Sequence, residues 1–411
     1  MLEAVIFFLR LFKLIMNLKI KELFKLIPLL VIPCLIFNSC SRSEVTAEQT
    51  QKGTKESKLK IGYSLNLETL CLIFNLSKAG ESLFKQNPLP RATLARSLTR
   101  KFDAFKNHEA VIKLNSLLDN DLVDLYDVDL ALFHDELPSY LQYTDYPIPY
   151  YVNDIQSKKD LRETFNDFSI SVGKFFVDSK LDSFIKIEAR PIYEGIMKEI
   201  STLSIKEDYI LEMEKYYGRE RNSYNIIVSA FSFNGIGRSK TIPNEKGISV
   251  FQLITSNPQL ESDSICEWDS FQFGYSNEDY FREMAMHELG HSFFHEALRE
   301  NKININKVKE IEFLFTKELK RDMKRQGYMD WITCFEEHLV RLGEIKIMKA
   351  LGLNSQTNKY RNRCVVERGF KYIPVMEKIL EEYESNRESY AKIDDFIPTL
   401  VLRLSERYRQ I

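Results

Sequence analysis

The segment MAMHELGHSFFHEAL, which begins at Met284, holds three of the six histidines of the chain. His287, His291 and His295 are spaced by four residues, so on an α-helix they lie towards one side. Glu288 is the only charged side chain in the apolar part of this segment. A carboxylate in such surroundings needs a partner or a function, because burying an isolated charge costs free energy. The segment therefore predicts a largely buried helix with a small polar site.

The first part of this segment has the pattern H-E-x-x-H. His287 and His291 lie one helical turn apart, so both imidazoles can reach one zinc ion at about 2.0–2.1 Å. Glu288 lies close enough to accept a proton from an activated water without binding the metal. Leu289 and Gly290 are uncharged, as expected where the helix faces packed protein. The alternative is a pair of hydrogen-bonded core histidines beside a chance glutamate, and the apolar flanks favour the metal site.

His295 does not fit as the third ligand. Eight residues along a straight helix rise about 12 Å, so His287 and His295 cannot bind the same ion unless the helix breaks between them. Phe294 occupies the position, three residues after His291, at which a glycine would allow such a break. We therefore interpret His295 as a surface residue or as a residue behind the ligands.

A third ligand is expected from a later helix, predicted within 328–348. This segment is apolar, yet it holds Glu336, Glu337 and His338 together near its middle. Glu337 and Arg341 have i,i+4 spacing, which can hold the carboxylate in one orientation. Glu336 and His338 are competing ligands, and a solvated acidic cluster is the alternative interpretation.

The N-terminal residues resemble an export signal. Lysines are followed by an apolar run over 26–37 and by Asn38-Ser39-Cys40. A basic region, a short apolar region and a small residue before cysteine are typical of a lipoprotein signal. We therefore predict a signal with an N-terminal extension over 1–39, lipidation of Cys40, and a lipid anchor with a flexible tether over 40–58. The predicted location is exported and membrane-anchored, with a cleaved or uncleaved anchor or a transmembrane helix as alternatives.

Residues 59–411 are predicted to form a single domain, with a seam between sub-domains near 146–156. Apolar, β-prone runs at 223–233 and 247–255 predict a hairpin, and the pattern after Asp279 is helical nearly to the end. The expected fold class is α+β and helix-rich. With 57 Lys and Arg against 59 Asp and Glu, the formal net charge is −2, and no basic tract predicts nucleic-acid binding.

Several blocks resemble a family of bacterial lipoproteins grouped as a domain of unknown function with an H-E-x-x-H peptidase site. The blocks are FDAFKNHEAV, MEKYYG, HELGHSFFHEAL, EEHLVR and LEEYESNRESY. The resemblance implies that Glu337 is the third ligand of one zinc ion, in a gluzincin-like site of His287, His291 and Glu337. Arg341 stands where many gluzincins have an aspartate that holds a ligand histidine. The resemblance also implies a zincin-like arrangement, with a small sheet beside the histidine helix.

The expected activity is that of a zinc metallopeptidase that hydrolyses peptide or related amide bonds, with Glu288 as the catalytic base. Tyr383, Tyr390 and His338 are candidates for stabilising the oxyanion. A peptide or protein substrate would add to an unpaired edge of one of the strands at 223–233 and 247–255. The alternative is a non-catalytic, lipid-anchored binding or scaffold protein with a vestigial or structural zinc site.

Overall fold

The computed structural model describes residues 57–86, 90–124, 127–139, 155–203, 207–232, 238–244, 247–255 and 272–409. The predicted signal over 1–39, Cys40, the tether up to residue 56 and the seam residues 146–154 lie outside these stretches. The described residues all belong to one compact unit, Lys52–Ile411. No helix in this described part of the chain is both long enough and apolar enough to cross a bilayer.

A four-stranded mixed sheet lies at the centre of the fold. Its strands are β1 (Leu59–Gly62), β2 (Ser223–Ser229), β3 (Arg238–Asn244) and β4 (Gly247–Thr255). Their spatial order is β1-β2-β4-β3. β1 pairs with β2 and β2 pairs with β4 in parallel, whereas β3 runs antiparallel to β4. The edges of the sheet are therefore β1 and β3.

The predicted hairpin between 223–233 and 247–255 is wrong, because β2 and β4 are parallel neighbours. The hairpin lies one strand later: β3 and β4 pair from Arg238 with Leu253 to Asn244 with Gly247. β3 is hard to recognise in the sequence because it contains Pro243. Proline is tolerated on an edge strand, where its missing N–H costs no hydrogen bond within the sheet. The prediction of an unpaired edge on β2 or β4 is also wrong, since both strands are internal.

Helices make up most of the remaining described residues, and the α+β, helix-rich fold class is confirmed. Before and between the strands are α1 (Leu65–Leu76), α2 (Lys78–Gln86), α3 (Pro90–Arg100), α4 (Glu109–Asp119), α5 (Ile155–Ser179), α6 (Leu181–Ile187), α7 (Arg190–Ser201) and α8 (Glu207–Tyr217). After the sheet come α9 (Glu278–Phe294), α10 (Lys302–Glu310), α11 (Lys317–Lys324), α12 (Trp331–Ala350), α13 (Asn354–Asn362), α14 (Ile373–Ser385) and α15 (Ile393–Arg409).

The histidine helix α9 is packed between the sheet and α12. Its N-cap is Asn277, whose side-chain oxygen accepts a hydrogen bond from the Tyr280 N–H at 3.0 Å. One face contacts β3 and β4, and the Gln252 side chain on β4 donates to the Met284 carbonyl at 2.9 Å. A second face contacts α12. Since α9 packs on both sides, its buried residues do not form a single narrow stripe.

Two glycines allow α9 and α12 to approach each other around one aromatic ring. Tyr217, at the end of α8, is fully buried and stacks on Phe293 with ring centroids 4.5 Å apart. A Cβ on Gly290 of α9 would lie 3.3 Å from the Tyr217 hydroxyl oxygen, and one on Gly343 of α12 would lie only 2.2 Å from it. The hydroxyl therefore occupies the space that side chains at these positions would need.

We expect Gly343→Ala to destabilise the protein by about 1–3 kcal/mol, because the new methyl group overpacks the buried Tyr217 ring. Gly62→Ala is the control, since nothing lies within 4 Å of a Cβ at that position. Adding Tyr217→Phe to Gly343→Ala should recover part of the lost stability, because it removes the clashing oxygen, which has no hydrogen-bond partner among the described residues. Urea denaturation of the wild type, the two single glycine variants and the double variant measures these differences in the free energy of unfolding. Equal stabilities of Gly343→Ala and Gly62→Ala would refute this account of the packing.

Candidate metal centre

His287 and His291 lie on consecutive turns of α9 and direct their Nε2 atoms towards each other. The two Nε2 atoms are 3.3 Å apart, and the imidazole rings are nearly perpendicular, with an interplanar angle of 88°. Both side chains keep some contact with solvent, with exposed fractions of 14% for His287 and 24% for His291. The pair therefore lies at the margin of the core.

Glu337 on α12 completes a triangle of donor atoms. Its Oε2 lies 3.4 Å from His287 Nε2, and its Oε1 lies 3.3 Å from His291 Nε2. Two donors that each stand about 2.0–2.1 Å from a zinc ion at the tetrahedral angle are about 3.3 Å apart. The two histidine Nε2 atoms have this spacing, each lies at a similar distance from the nearer Glu337 oxygen, and the three side chains form a group that could hold a metal ion.

The second nitrogen of each histidine faces another carboxylate of α12. His287 Nδ1 lies 2.8 Å from Glu344 Oε1, and His291 Nδ1 lies 3.2 Å from Glu336 Oε1. A carboxylate on Nδ1 favours the tautomer that leaves Nε2 free to bind a metal. Glu336, a competing ligand in the sequence, thus lies behind His291 and outside the donor triangle.

Sequence reasoning missed Glu344. It lies seven residues after Glu337, or two helical turns, in a helix whose residues from Cys334 to Met348 are all buried. That spacing places both glutamates on the side of α12 that faces α9. An acidic residue repeated at this interval in an otherwise apolar helix was the available signal.

Arg341 stabilises the ionised form of Glu337. Its Nη2 lies 3.3 Å from Glu337 Oε2, and its guanidinium group is buried over the Phe370 ring. Burial by itself raises the pKa of Glu337, but the hydrogen bond from His291 and the charges of His287 and Arg341 outweigh this effect and lower the pKa to about 2. Glu337 is therefore an anion at neutral pH.

Glu288 lies next to the first histidine with its carboxylate in a largely buried environment. Burial raises its pKa, while the charges of His287 and His291 act in the opposite direction. It makes no ion pair with any described residue. A carboxylate that is destabilised as an anion and not engaged by a cation is suited to accept a proton.

Three of the predicted side chains do not join the donor triangle. His338 is fully buried in the aromatic core, with its Nδ1 2.7 Å from the Cys334 carbonyl and its ring beside Phe370. The Tyr383 hydroxyl donates to the Tyr216 carbonyl at 2.6 Å, and the Tyr390 hydroxyl lies 3.3 Å from Thr399 Oγ1. These positions remove the support for His338 as a ligand and for all three as oxyanion donors.

His295 lies on the surface, as one of the two sequence interpretations expected. Its side chain is exposed and forms a salt bridge of 3.6 Å with Glu300. It begins a π-helical turn, His295–Glu300, that follows α9. The third histidine of the segment therefore has no part in the donor triangle.

Tyr328 is a further polar group near the donors that sequence reasoning missed. Its hydroxyl oxygen lies 3.1 Å from Nη2 of Arg341, the guanidinium that contacts Glu337. Burial raises the pKa of Tyr328, the positive charge of Arg341 lowers it, and the negative charge of Glu337 raises it further, to about 12 in total. Its phenol is neutral at physiological pH and can donate a hydrogen bond.

The charges around the donor triangle do not balance among the described side chains. Two guanidinium groups face four carboxylates, and these residues are Arg299, Arg341, Glu288, Glu336, Glu337 and Glu344. With ionised carboxylates, two negative charges remain before any charge on the histidines is counted. Burial lowers the pKa of His291, but the hydrogen bonds to Glu336 and Glu337 outweigh it and raise the pKa to about 10, so a proton on His291 offsets one of these charges in the metal-free protein. One divalent cation would compensate both charges, and this favours a metal ion over a neutral ligand.

Comparison with known proteins places the chain in a family. Among curated proteins and solved structures, no significant match to the chain was found. A family model described as Domain of unknown function (DUF4932) matches residues 91–402. The match includes α9, α12 and all five blocks on which the sequence resemblance depends. The chain therefore belongs to the DUF4932 family of proteins.

Proposed function

We propose that this protein is a zinc-dependent, gluzincin-like hydrolase of peptide or related amide bonds. The observation that carries the proposal is the triangle of His287, His291 and Glu337, with Glu288 beside it. The two histidine Nε2 atoms are 3.3 Å apart, and each lies 3.3–3.4 Å from the nearer Glu337 oxygen. Two imidazoles and one carboxylate are the ligand set of several catalytic zinc sites. The same ligands are softer than the all-oxygen sets that magnesium and calcium prefer.

Glu288 is the proposed general base. A bound zinc ion would supply Lewis acidity, which makes a water molecule more acidic and polarises the substrate carbonyl. Glu288 accepts the proton of the attacking water and passes it to the leaving amine nitrogen. Tyr328, whose phenol stays protonated because its pKa is raised to about 12, is the candidate hydrogen-bond donor to the oxyanion.

Solvent contact at the two histidines supports a catalytic rather than a structural metal site. Structural zinc sites are closed by four protein ligands, whereas catalytic sites keep a position for water or substrate. Three residues form the candidate group, and the His291 side chain is 24% exposed. A vestigial or structural site in a binding or scaffold protein is the weaker explanation. It gives no role to the Glu288 carboxylate, which forms no ion pair with a described residue.

The edge strand β3 is the proposed binding surface for an extended peptide. β3 contacts α9, and among the described strands it pairs only with β4. In an antiparallel ladder the backbone groups of every second residue face away from the neighbouring strand, and on β3 these groups face no described strand. A peptide could hydrogen-bond to these groups and place its scissile carbonyl near the donor triangle.

We also propose that Cys40 is lipidated and anchors the protein to a membrane on the exported side. The support is the sequence of lysines, the apolar run 26–37 and the small residue Ser39 before Cys40. An anchor of this kind would hold the hydrolase close to the membrane surface, where exported peptides or proteins are the available substrates.

The proposed function predicts cleavage of a mixed peptide library by the purified protein. We expect new termini in mass spectra, their loss after treatment with a zinc chelator, and their return when zinc is added. Glu288→Gln serves as the control for a contaminating protease, since it leaves the three ligands in place. Cleavage that persists in the chelator or in Glu288→Gln would contradict the proposal. Stoichiometric zinc without any cleavage would favour the binding-protein alternative.

A further inference from the structure

Glu344 is a buried carboxylate with few partners. Its side chain is 2% exposed, and its only ion pair among the described residues is the 2.8 Å contact of Oε1 with His287 Nδ1. Oε2 makes no hydrogen bond to a described residue. Arg341 is near enough to interact with its charge without forming an ion pair, and the neutral Tyr360 hydroxyl lies within hydrogen-bonding reach of the carboxylate. A carboxylate in this setting costs free energy unless a nearby positive charge compensates it.

We propose that Glu344 is the positioning residue of the metal centre, and that the bound cation, acting through His287, compensates its charge. This inference rests on the metal binding of the proposed function and assigns a residue that the ligand set does not include. Glu344 accepts the Nδ1–H of His287, and this holds the imidazole with Nε2 towards Glu337. A cation on Nε2 makes the Nδ1–H more acidic, so the hydrogen bond to Glu344 becomes stronger when the metal binds.

Glu336 occupies the equivalent place behind His291, but its charge is compensated in another way. Its Oε1 lies 3.2 Å from His291 Nδ1, and its Oε2 accepts a hydrogen bond of 2.8 Å from Arg299 Nε. Arg299 also donates to Thr333 Oγ1 at 3.0 Å. Since Arg299 is part of the chain, it balances Glu336 with or without a metal ion. Glu336 is therefore a natural comparison for Glu344.

The difference between the two carboxylates has a consequence for stability. Glu344→Gln keeps the shape of the side chain and an oxygen that can accept from Nδ1–H, but it removes the buried charge. The metal-free variant should therefore be at least as stable as the metal-free wild type. The same change weakens the support of His287 and should lower metal affinity. If Glu344 had a merely structural role, its replacement would lower both the stability of the metal-free protein and its metal affinity.

The test compares Glu344→Gln, Glu336→Gln and the wild type in the full-length chain. Zinc affinity is measured by chelator competition, and the thermal midpoint is measured without metal. We expect Glu344→Gln to weaken zinc binding on the order of 10–100-fold without lowering the metal-free midpoint, and Glu336→Gln to weaken it less. The matched control is Glu384→Gln, because the Glu384 carboxylate forms a salt bridge of 2.9 Å with Lys346 of α12 and lies outside the donor triangle, so zinc affinity should stay unchanged.

Histidine NMR supplies an independent measurement. With six histidines in the chain, the nitrogen signals of His287 can be assigned from a His287→Gln spectrum. We expect a protonated Nδ1 and a zinc-shifted Nε2 in the loaded wild type, with the Nδ1 signal altered in Glu344→Gln. Wild-type zinc binding with unchanged affinity in Glu344→Gln would overturn this inference and leave the proposed function standing. A wild type that binds no zinc would overturn both.

Discussion

Glu288→Gln is expected to retain one equivalent of zinc and to lose hydrolytic turnover by about 10²–10⁴-fold, the range that general acid and base groups contribute. The amide has the size of the carboxylate but cannot accept the proton of the attacking water. The three donors His287, His291 and Glu337 keep their positions, because none of their hydrogen bonds and ion pairs among the described residues involves Glu288. Rates on the best peptide of the library, together with metal analysis, measure the two effects.

The stability of the metal-free variant gives a further check on Glu288→Gln. Burial raises the pKa of Glu288, so the folded protein disfavours its ionised form and loses stability as the pH rises through the ordinary range of a glutamate. Replacing it by a neutral amide removes this loss, so the thermal midpoint at neutral pH should not fall. Undiminished turnover would remove Glu288 from the mechanism, and a large fall in the midpoint would show that the lost activity reflects unfolding.

His287→Ala and His291→Ala are each expected to abolish stoichiometric zinc binding and all zinc-dependent cleavage. Each change removes one of three donors, and the effect should exceed the roughly 10–100-fold loss of affinity typical of residues behind the ligands. Zinc at about one hundred times its Kd should stabilise the wild type by about 2.7 kcal/mol, and this gain should vanish in both variants. Thermal unfolding with and without zinc measures it.

His295→Ala is the matched control for these two variants. It lies on the same helical segment, one turn after His291, but its side chain is exposed and pairs only with Glu300 among the described residues. Its zinc content and its gain in stability should equal those of the wild type. Retention of a full equivalent of zinc by His287→Ala and His291→Ala would show that the donor triangle is not the metal site.

The histidine helix shows what a local pattern can predict. The i,i+4 spacing of His287 and His291 and the apolar flanks depend only on helical periodicity, and the structure has α9 over Glu278–Phe294. The exclusion of His295 from the donor set follows from the rise per residue of a helix. The N-cap of α9 is Asn277, a residue type that favours this position.

The sheet shows where a local pattern fails. The runs at 223–233 and 247–255 were predicted as strands, and the structure has strands over Ser223–Ser229 and Gly247–Thr255, but their alternation carries no information on which strand pairs with which. β4 lies between β2 and β3, so a strand that is later in sequence separates two earlier ones. This order depends on contacts between residues that are far apart in the sequence. In addition, Pro243 makes the edge strand β3, which contacts α9, difficult to recognise as a strand from the sequence.

By itself, the sequence determined the helix-rich α+β class, the helix that carries His287 and His291, and the later helix that offers Glu337 and its competitors. Only the tertiary structure decided among those competitors. Glu336, Glu337 and His338 are consecutive, so each points in a different direction, about 100° apart around α12. The packing of α9 against α12 places Glu337 beside the histidines, Glu336 behind His291 and His338 in the aromatic core. The role of Glu344 has the same origin. Glu344 is 57 residues from His287 in the sequence, so the contact between them exists only once α9 and α12 pack together.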